Sequence, residues 1–435
     1  MKKLLFLLLL SPALANAQAN ISAWTMNLNG KLGSYWNQTA TSGPPVYVFT
    51  NSADSADVLK MCYSTDSIWV RAQGLTDNMG KYMNPGSCLA QNYVFRFPRN
   101  PVVATTKVIS PKVGAIGSLL NGIPIYGLTN ANSWNGTANV GGPGGLGIWN
   151  VEVGLSEGFV LDTAFGAHPQ QQGAYHTHTT PYRYYRNTPA GKHSPLVGFA
   201  FDGYPVYGPY GYTNPMDSTS GVTRMKSGYS MRSITTRHTL PDGTVLTSAQ
   251  YGPDVSTTYP IGTYCEDYEW LSTNGGDVDE YNGRFCRTPE YPAGTYAYFV
   301  TTDATGAAAF PYYIGIYYYG QPDQGNFGMG TSLSMPAGVT SCLSPITNGI
   351  EDIIAAGTKF SMYPNPAADH ISLVTTADAF TEVVIYNQLG ATVLSTTIDK
   401  NNMDININLS SGLYFVKCFN KQTGAAEVQK LVIQQ

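Results

Sequence analysis

Hydrophobic positions in this chain fall in short alternating runs, not at helical spacing. In Asn92-Tyr93-Val94-Phe95-Arg96-Phe97-Pro98 the rings of Tyr93, Phe95 and Phe97 occupy every second residue, the period of a strand with one buried face. Asp66 to Ala72 is a second such run, and near the C-terminus Met403, Ile405, Ile407 and Leu409 alternate strictly with polar neighbours. β-Branched and aromatic residues dominate these runs, as strands require, and no stretch joins a long helical period to caps. The expectation is an all-β protein: a β-sandwich-like core domain with irregular loops, followed by a small C-terminal β-sandwich.

Two segments echo one another. Asn121-Gly122-Ile123-Pro124-Ile125-Tyr126-Gly127 and Asp202-Gly203-Tyr204-Pro205-Val206-Tyr207-Gly208 are each an Asn/Asp-Gly turn feeding a Pro-x-Tyr-Gly strand. Proline cannot donate to a ladder, which predicts edge strands. Two equivalent hairpins flanking the strand that carries His176 and His178 is one reading; two uses of a common turn is the other.

Breaks in the pattern divide the chain. Residues 1–17 read as a signal peptide: Lys2 and Lys3, an apolar run from Leu4 to Leu10, and the small-x-small site Ala15-Asn16-Ala17. That run is too short to span a bilayer, and no later run approaches the ~20 apolar residues a transmembrane helix needs. No transmembrane segment is therefore expected after signal cleavage. Residues 18–320 form the core domain, 321–358 a Gly-, Ser- and Pro-rich linker, and 359–435 the final module. In that module Thr381 to Tyr386 and Ala391 to Ile398 read as strands joined by a turn at Gln388 to Gly390.

Charge narrows the function. Charged residues are 12% of the chain and the net charge is −4. There is no basic field for nucleic acid and no Lys/Arg cluster for an anionic membrane. Six cysteines in an exported chain imply disulfides. Nearness in sequence favours Cys62 with Cys88 and Cys265 with Cys286, leaving Cys342 and Cys418 outside the core. Zinc is the rival use of cysteine, but no Cys-x-x-Cys occurs. The acids between Cys265 and Cys286 lack EF-hand spacing; a solvated loop is the first expectation for them and calcium the second.

Candidate chemistry concentrates between Gly166 and Tyr212, which holds four of the six histidines: His168, His176, His178 and His193. His176 and His178 share a face of any extended strand, and Gly173 and Pro181 bound that strand to a few residues. Two imidazoles on one face form a chelating pair for copper or zinc. His168 is the best third ligand, His193 the next, and Asp202 either a ligand or a partner to an imidazole N–H. Tyr175, one position off, is expected in the core. A hydrolase using this pocket is an alternative, although neither Gly-x-Ser-x-Gly nor His-Glu-x-x-His is present. A non-catalytic module that binds glycan or protein through exposed tyrosines is another.

These segments resemble known families. GAHPQQQGAYHTH, HSPLVGFAFDGYPVYGPYGY and DEYNGRFCRTPEYPAGTYAYFV are similar to the YHYH domain of secreted and cell-surface bacterial proteins, over roughly Ile21 to Gly320. The family's Tyr-His-Tyr-His reads Tyr175-His176-Thr177-His178 here, so both histidines are kept and the second tyrosine is replaced. Tyr363-Pro364-Asn365-Pro366, Ser411-Gly412-Leu413-Tyr414-Phe415-Val416 and Gln429-Lys430-Leu431-Val432-Ile433 resemble the C-terminal sorting domain of the type IX secretion system. That likeness implies the type IX secretion machinery as partner, and a secreted or surface-attached protein reached through the periplasm.

Overall fold

The computed structural model describes residues 21, 23–24, 30–38, 46–83, 86–141, 147–170 and 172–328, together with most of 330–344 and 360–433. The signal-peptide segment lies outside the described residues. Among the described residues strands account for 41% and helix for 7%, so the fold is all-β. The chain divides into two compact units, residues 1–346 and 347–435.

Two hairpins stand at the centre of the first unit. Ala115–Leu119 pairs with Pro124–Tyr126, and Leu196–Ala200 with Pro205–Tyr207. Their inner strands pair with each other, Leu119 opposite Gly198 and Gly117 opposite Ala200. A Cβ on Gly117 would lie 2.6 Å from the Phe199 carbonyl oxygen, and one on Gly198 2.4 Å from that of Ser118, so the crossing accepts no side chain. The echo in the sequence is therefore a pair of equivalent hairpins, but they adjoin each other and do not flank the histidine strand, which lies outside the first of them.

The prediction that the two proline strands are edges is corrected. Each carries a further neighbour, in parallel: Pro124–Tyr126 pairs with Tyr175–Thr177, and Pro205–Tyr207 with Thr295–Phe299. Each proline is the first residue of its strand, where the missing N–H takes nothing from the ladder. Ala167–Pro169 and Gly283–Cys286 complete an eight-stranded mixed sheet at its two ends.

A four-stranded antiparallel sheet packs against this one. Its order is Cys342–Leu343, Val58–Tyr63, Ser67–Ala72 and Tyr93–Pro98. Tyr93, Phe95 and Phe97 are buried, as their spacing predicts. Trp24 packs against Phe97 at 5.1 Å and Phe199 at 5.5 Å, joining the two sheets, and Phe95 meets Phe201 at 5.3 Å. Each fully buried ring of this kind contributes about 2–3 kcal/mol.

Two expectations about the end of the core do not hold. Residues 321–344, read as linker, fold onto it. Arg96 pairs with Asp323, Asn326 is 1% exposed and exchanges hydrogen bonds with the Arg96 backbone, and the Leu333 N–H donates to the Val94 carbonyl. Gly and Ser content describes a chain without regular structure, not one without contacts. The remaining linker, 345–358, lies outside the described residues. The disulfide is Cys62–Cys342, at directly opposed positions of two paired strands. Cys88, Cys265 and Cys286 are buried free thiols. Strand pairing, not nearness in sequence, decides which cysteines meet. Burial pushes the Cys88 thiol up to about 12 and that of Cys286 to about 11, which leaves both unreactive.

The second unit has two sheets: Phe360–Tyr363, His370–Thr375 and Asp404–Asn406 in one, and Thr392–Thr397, Glu382–Asn387, Gly412–Phe419 and Ala426–Ile433 in the other. Ile371, Val383, Ile405, Ile407, Val416 and Leu431 share one core between them, so the alternation from Met403 to Leu409 is a buried face.

Candidate metal centre

The histidine strand, Tyr175–Thr177, is held from both sides. Ala167–Pro169 pairs with it antiparallel, placing His168 directly opposite His176. Directly opposed residues of an antiparallel pair share a face. The His178 N–H continues this ladder to the Gly166 carbonyl at 3.0 Å. Gly173, with φ of 76°, supplies the left-handed residue in the connection between the two strands. Three imidazoles thus meet on one face, two by i, i+2 spacing and one by register.

The opposite face is core, as expected for Tyr175. Its hydroxyl donates to Asp162, and the Thr177 hydroxyl donates to the Phe165 carbonyl at 2.5 Å and meets Tyr313 Oη at 2.7 Å. Thr177 is fully buried, so the position where the family motif has tyrosine is filled here by a smaller side chain with its hydroxyl satisfied.

The geometry of the three rings is specific. His176 Nδ1 lies 2.8 Å from the Ala174 carbonyl and His178 Nδ1 3.0 Å from that of Gly127. A carbonyl only accepts, so each Nδ1 carries the proton and each Nε2 presents a lone pair. The two Nε2 atoms are 3.0 Å apart. With His168, the possible ligand atoms all lie within 4.8 Å of one another. Among the described residues this is the one group of three or more His, Cys, Asp or Glu able to hold an ion. Burial and the neighbouring imidazoles hold His176 well below the ordinary histidine range. Burial brings His178 down to about 4, against the pull of Glu157. Both rings are neutral at ordinary pH, the state in which imidazole ligates. Tyr126 stacks on His176 at 3.9 Å and closes that side.

Glu157 completes the cluster and was not legible in the sequence. Its Oε2 lies 3.3 Å from His168 Nε2 and 3.8 Å from His178 Nε2. It ends the short helix Val153–Glu157, which Glu152 caps through the N–H groups of Gly154 and Leu155. Tyr312 Oη holds Glu152 in turn at 2.6 Å. Burial alone would raise the Glu157 carboxyl, but the hydrogen bond from His168 and the two imidazoles outweigh it and hold it below the usual range. The only hint in the sequence is scarcity: Glu152, Glu157 and Asp162 are the sole acids between Val113 and Ala200.

His193 and Asp202 do not join the group. Asp202 lies in the turn of the second hairpin and His193 in the loop just before it, and the strands Pro124–Tyr126 and Ala115–Leu119 separate that hairpin from the histidine strand. His193 is caged by Tyr207, Tyr212 and Phe299, with Nδ1 2.7 Å from the Ser194 carbonyl. Asp202 is fully buried and accepts from Tyr298 Oη at 2.5 Å and the Gly320 N–H at 2.9 Å. It anchors the end of the core. The acids between Cys265 and Cys286, expected first as a solvated loop and second as a calcium site, go to separate partners, and Asp267 is fully buried. Asp267 pairs with buried Arg237 at 2.7 Å, Glu266 accepts from Asn150, Glu280 pairs with Lys107, and Asp279 accepts from Tyr296.

No curated protein and no solved structure matches the chain. No described helix is long and apolar enough to cross a membrane. Residues 361–434 match the family described as the secretion system C-terminal sorting domain. The chain is thus recognised by the type IX secretion machinery, and the protein is secreted or held at the cell surface after passage through the periplasm. Residues 94–310, which contain the histidine cluster, match the family described as YHYH protein, and the chain is an exported protein built on a YHYH domain.

Proposed function

We propose that this exported protein binds one transition-metal ion, copper or zinc, through Nε2 of His176 and His178 and an imidazole nitrogen of His168, with the Glu157 carboxylate beside them. The observation that carries this reading is the 3.0 Å approach of two Nε2 atoms whose Nδ1 atoms are both committed to backbone carbonyls. Two lone pairs so placed repel each other, and a cation between them turns that repulsion into two bonds. The carbonyl bonds are of the kind that orient metal-ligating histidines. Nitrogens at roughly 2.0–2.1 Å from a metal are about 2.9 Å apart at a right angle and about 3.4 Å apart at a tetrahedral one. The observed spacing supports tetragonal copper over tetrahedral zinc.

Isothermal titration of the protein with Cu(II) and with Zn(II), checked by elemental analysis, tests it. One equivalent bound, with copper the tighter, is expected. A protein that takes up neither metal at neutral pH overturns the reading and leaves a structural histidine cluster.

A further inference from the structure

The cluster lies at the wall of a cavity of about 130 Å³, lined also by Gly114, Tyr126, Asn130, Ala131 and Gln170. A structural metal site is closed by its protein ligands, whereas a reactive one keeps a position for something else. Here the three imidazoles come from one sheet face and Glu157 from one helix end, and among the described residues no further His, Cys, Asp or Glu joins them from the cavity side. It is an open polar pocket directly beside the imidazoles.

The cavity wall is polar in one particular way. Asn130 Oδ1 accepts the Asn132 N–H at 3.0 Å, so its amide N–H groups are left to donate. Ala131, the next residue, holds a φ of 66°, a left-handed conformation that costs a non-glycine residue about 1 kcal/mol and collects at ligand sites. A metal on one side and an amide donor on the other suit a ligand that is small and negatively charged.

We propose that the bound metal keeps one exchangeable coordination position facing this cavity, and that the position takes a small anion, hydrogen-bonded by Asn130. This rests on the metal reading above. It adds that the site admits an external ligand.

The test uses the full protein loaded with one equivalent of Cu(II) and titrated with azide, followed by absorption and by electron paramagnetic resonance. The expected result is a saturable azide-to-copper charge-transfer band with altered copper resonance parameters. Asn130→Asp keeps the acceptor for Asn132 but replaces the donor with negative charge; it should retain copper and weaken azide at least tenfold. Copper uptake with no azide band overturns the open position and leaves the metal reading standing. Equal azide affinity in Asn130→Asp overturns the assigned cavity. Absence of copper uptake overturns both readings.

Discussion

His168 stands directly across the ladder from His176, so the third imidazole is placed by strand register and not by sequence spacing. A one-residue slip of Ala167–Pro169 would turn His168 to the core face. The centre therefore depends on the hairpin as much as on its ligands. Replacing any of His168, His176 or His178 by alanine should lower copper affinity at least a hundredfold, because a chelate loses its cooperative bond. Glu157→Gln should cost less, about tenfold to a hundredfold, as groups beside a metal commonly do. Titration calorimetry on the four variants checks the order; equal loss in all four, or none, contradicts it.

Thr177→Ala separates the two faces of the same strand. The Thr177 hydroxyl is buried and hydrogen-bonded to Phe165 and Tyr313, so its removal should cost about 1–3 kcal/mol by leaving buried groups unpaired. Copper affinity should be unchanged. Chemical denaturation read alongside metal titration distinguishes this from a residue that contributes to the site.

Mass spectrometry of unreduced peptides should find Cys62 linked to Cys342, with Cys88, Cys265 and Cys286 as free thiols once the protein is unfolded. Closing a span of 280 residues stabilises by about 5–6 kcal/mol in the chain-entropy account. The double variant Cys62→Ser, Cys342→Ser should fall by that order in denaturant unfolding. A peptide linking Cys265 to Cys286 would falsify this pairing.

Asp202 gives the stability a definite pH dependence. Burial pushes its carboxyl up to about 6, against the hydrogen bonds it accepts from Tyr298, Gly320 and Tyr204. An unfolded aspartate titrates near ~3.9. Between those values the unfolded chain has released a proton that the folded protein still holds. This group's contribution is therefore full below about pH 4 and declines as pH rises, by up to about 1.4 kcal/mol per unit, until about pH 6. The melting-temperature difference between wild type and Asp202→Asn should shift against the wild type from pH 4 to 7. A constant difference contradicts the assignment.

Deleting residues 360–435 should leave the first unit in the periplasm and absent from the medium and surface, since the tail matches the sorting domain. Fractionation and immunoblotting read the outcome. Normal surface delivery of the truncated chain would show that the tail is not the signal.

What the sequence made legible follows the range of each interaction. The alternation of Tyr93, Phe95 and Phe97, the buried Ile405 and Ile407, and the shared face of His176 and His178 are local, set by the two-residue period of a strand. The paired hairpins were visible in the Asn/Asp-Gly-x-Pro-x-Tyr-Gly echo, because turn chemistry is local too. Their place inside the sheet was not, since parallel neighbours come from 50 and 90 residues further along. Glu157 and the Cys62–Cys342 bond depend on contacts between distant segments, and neither leaves a periodic trace. Asp202 is a candidate ligand or imidazole partner on sequence because it is an acid close to the histidines along the chain; the sheet carries it to a different set of partners.

The bond between Cys62 and Cys342 also has a consequence in time. Its two sulfurs belong to the first and last strands of one four-stranded sheet. Disulfides form on the oxidising side of the inner membrane, and a chain entering there N-terminus first presents Cys62 long before Cys342. The bond cannot close until nearly the whole first unit has crossed, when the sorting tail is next to emerge. Oxidation of this one pair is thus a late event in the biogenesis of the protein, and the oxidised form marks a core already complete when the tail becomes available to the export machinery.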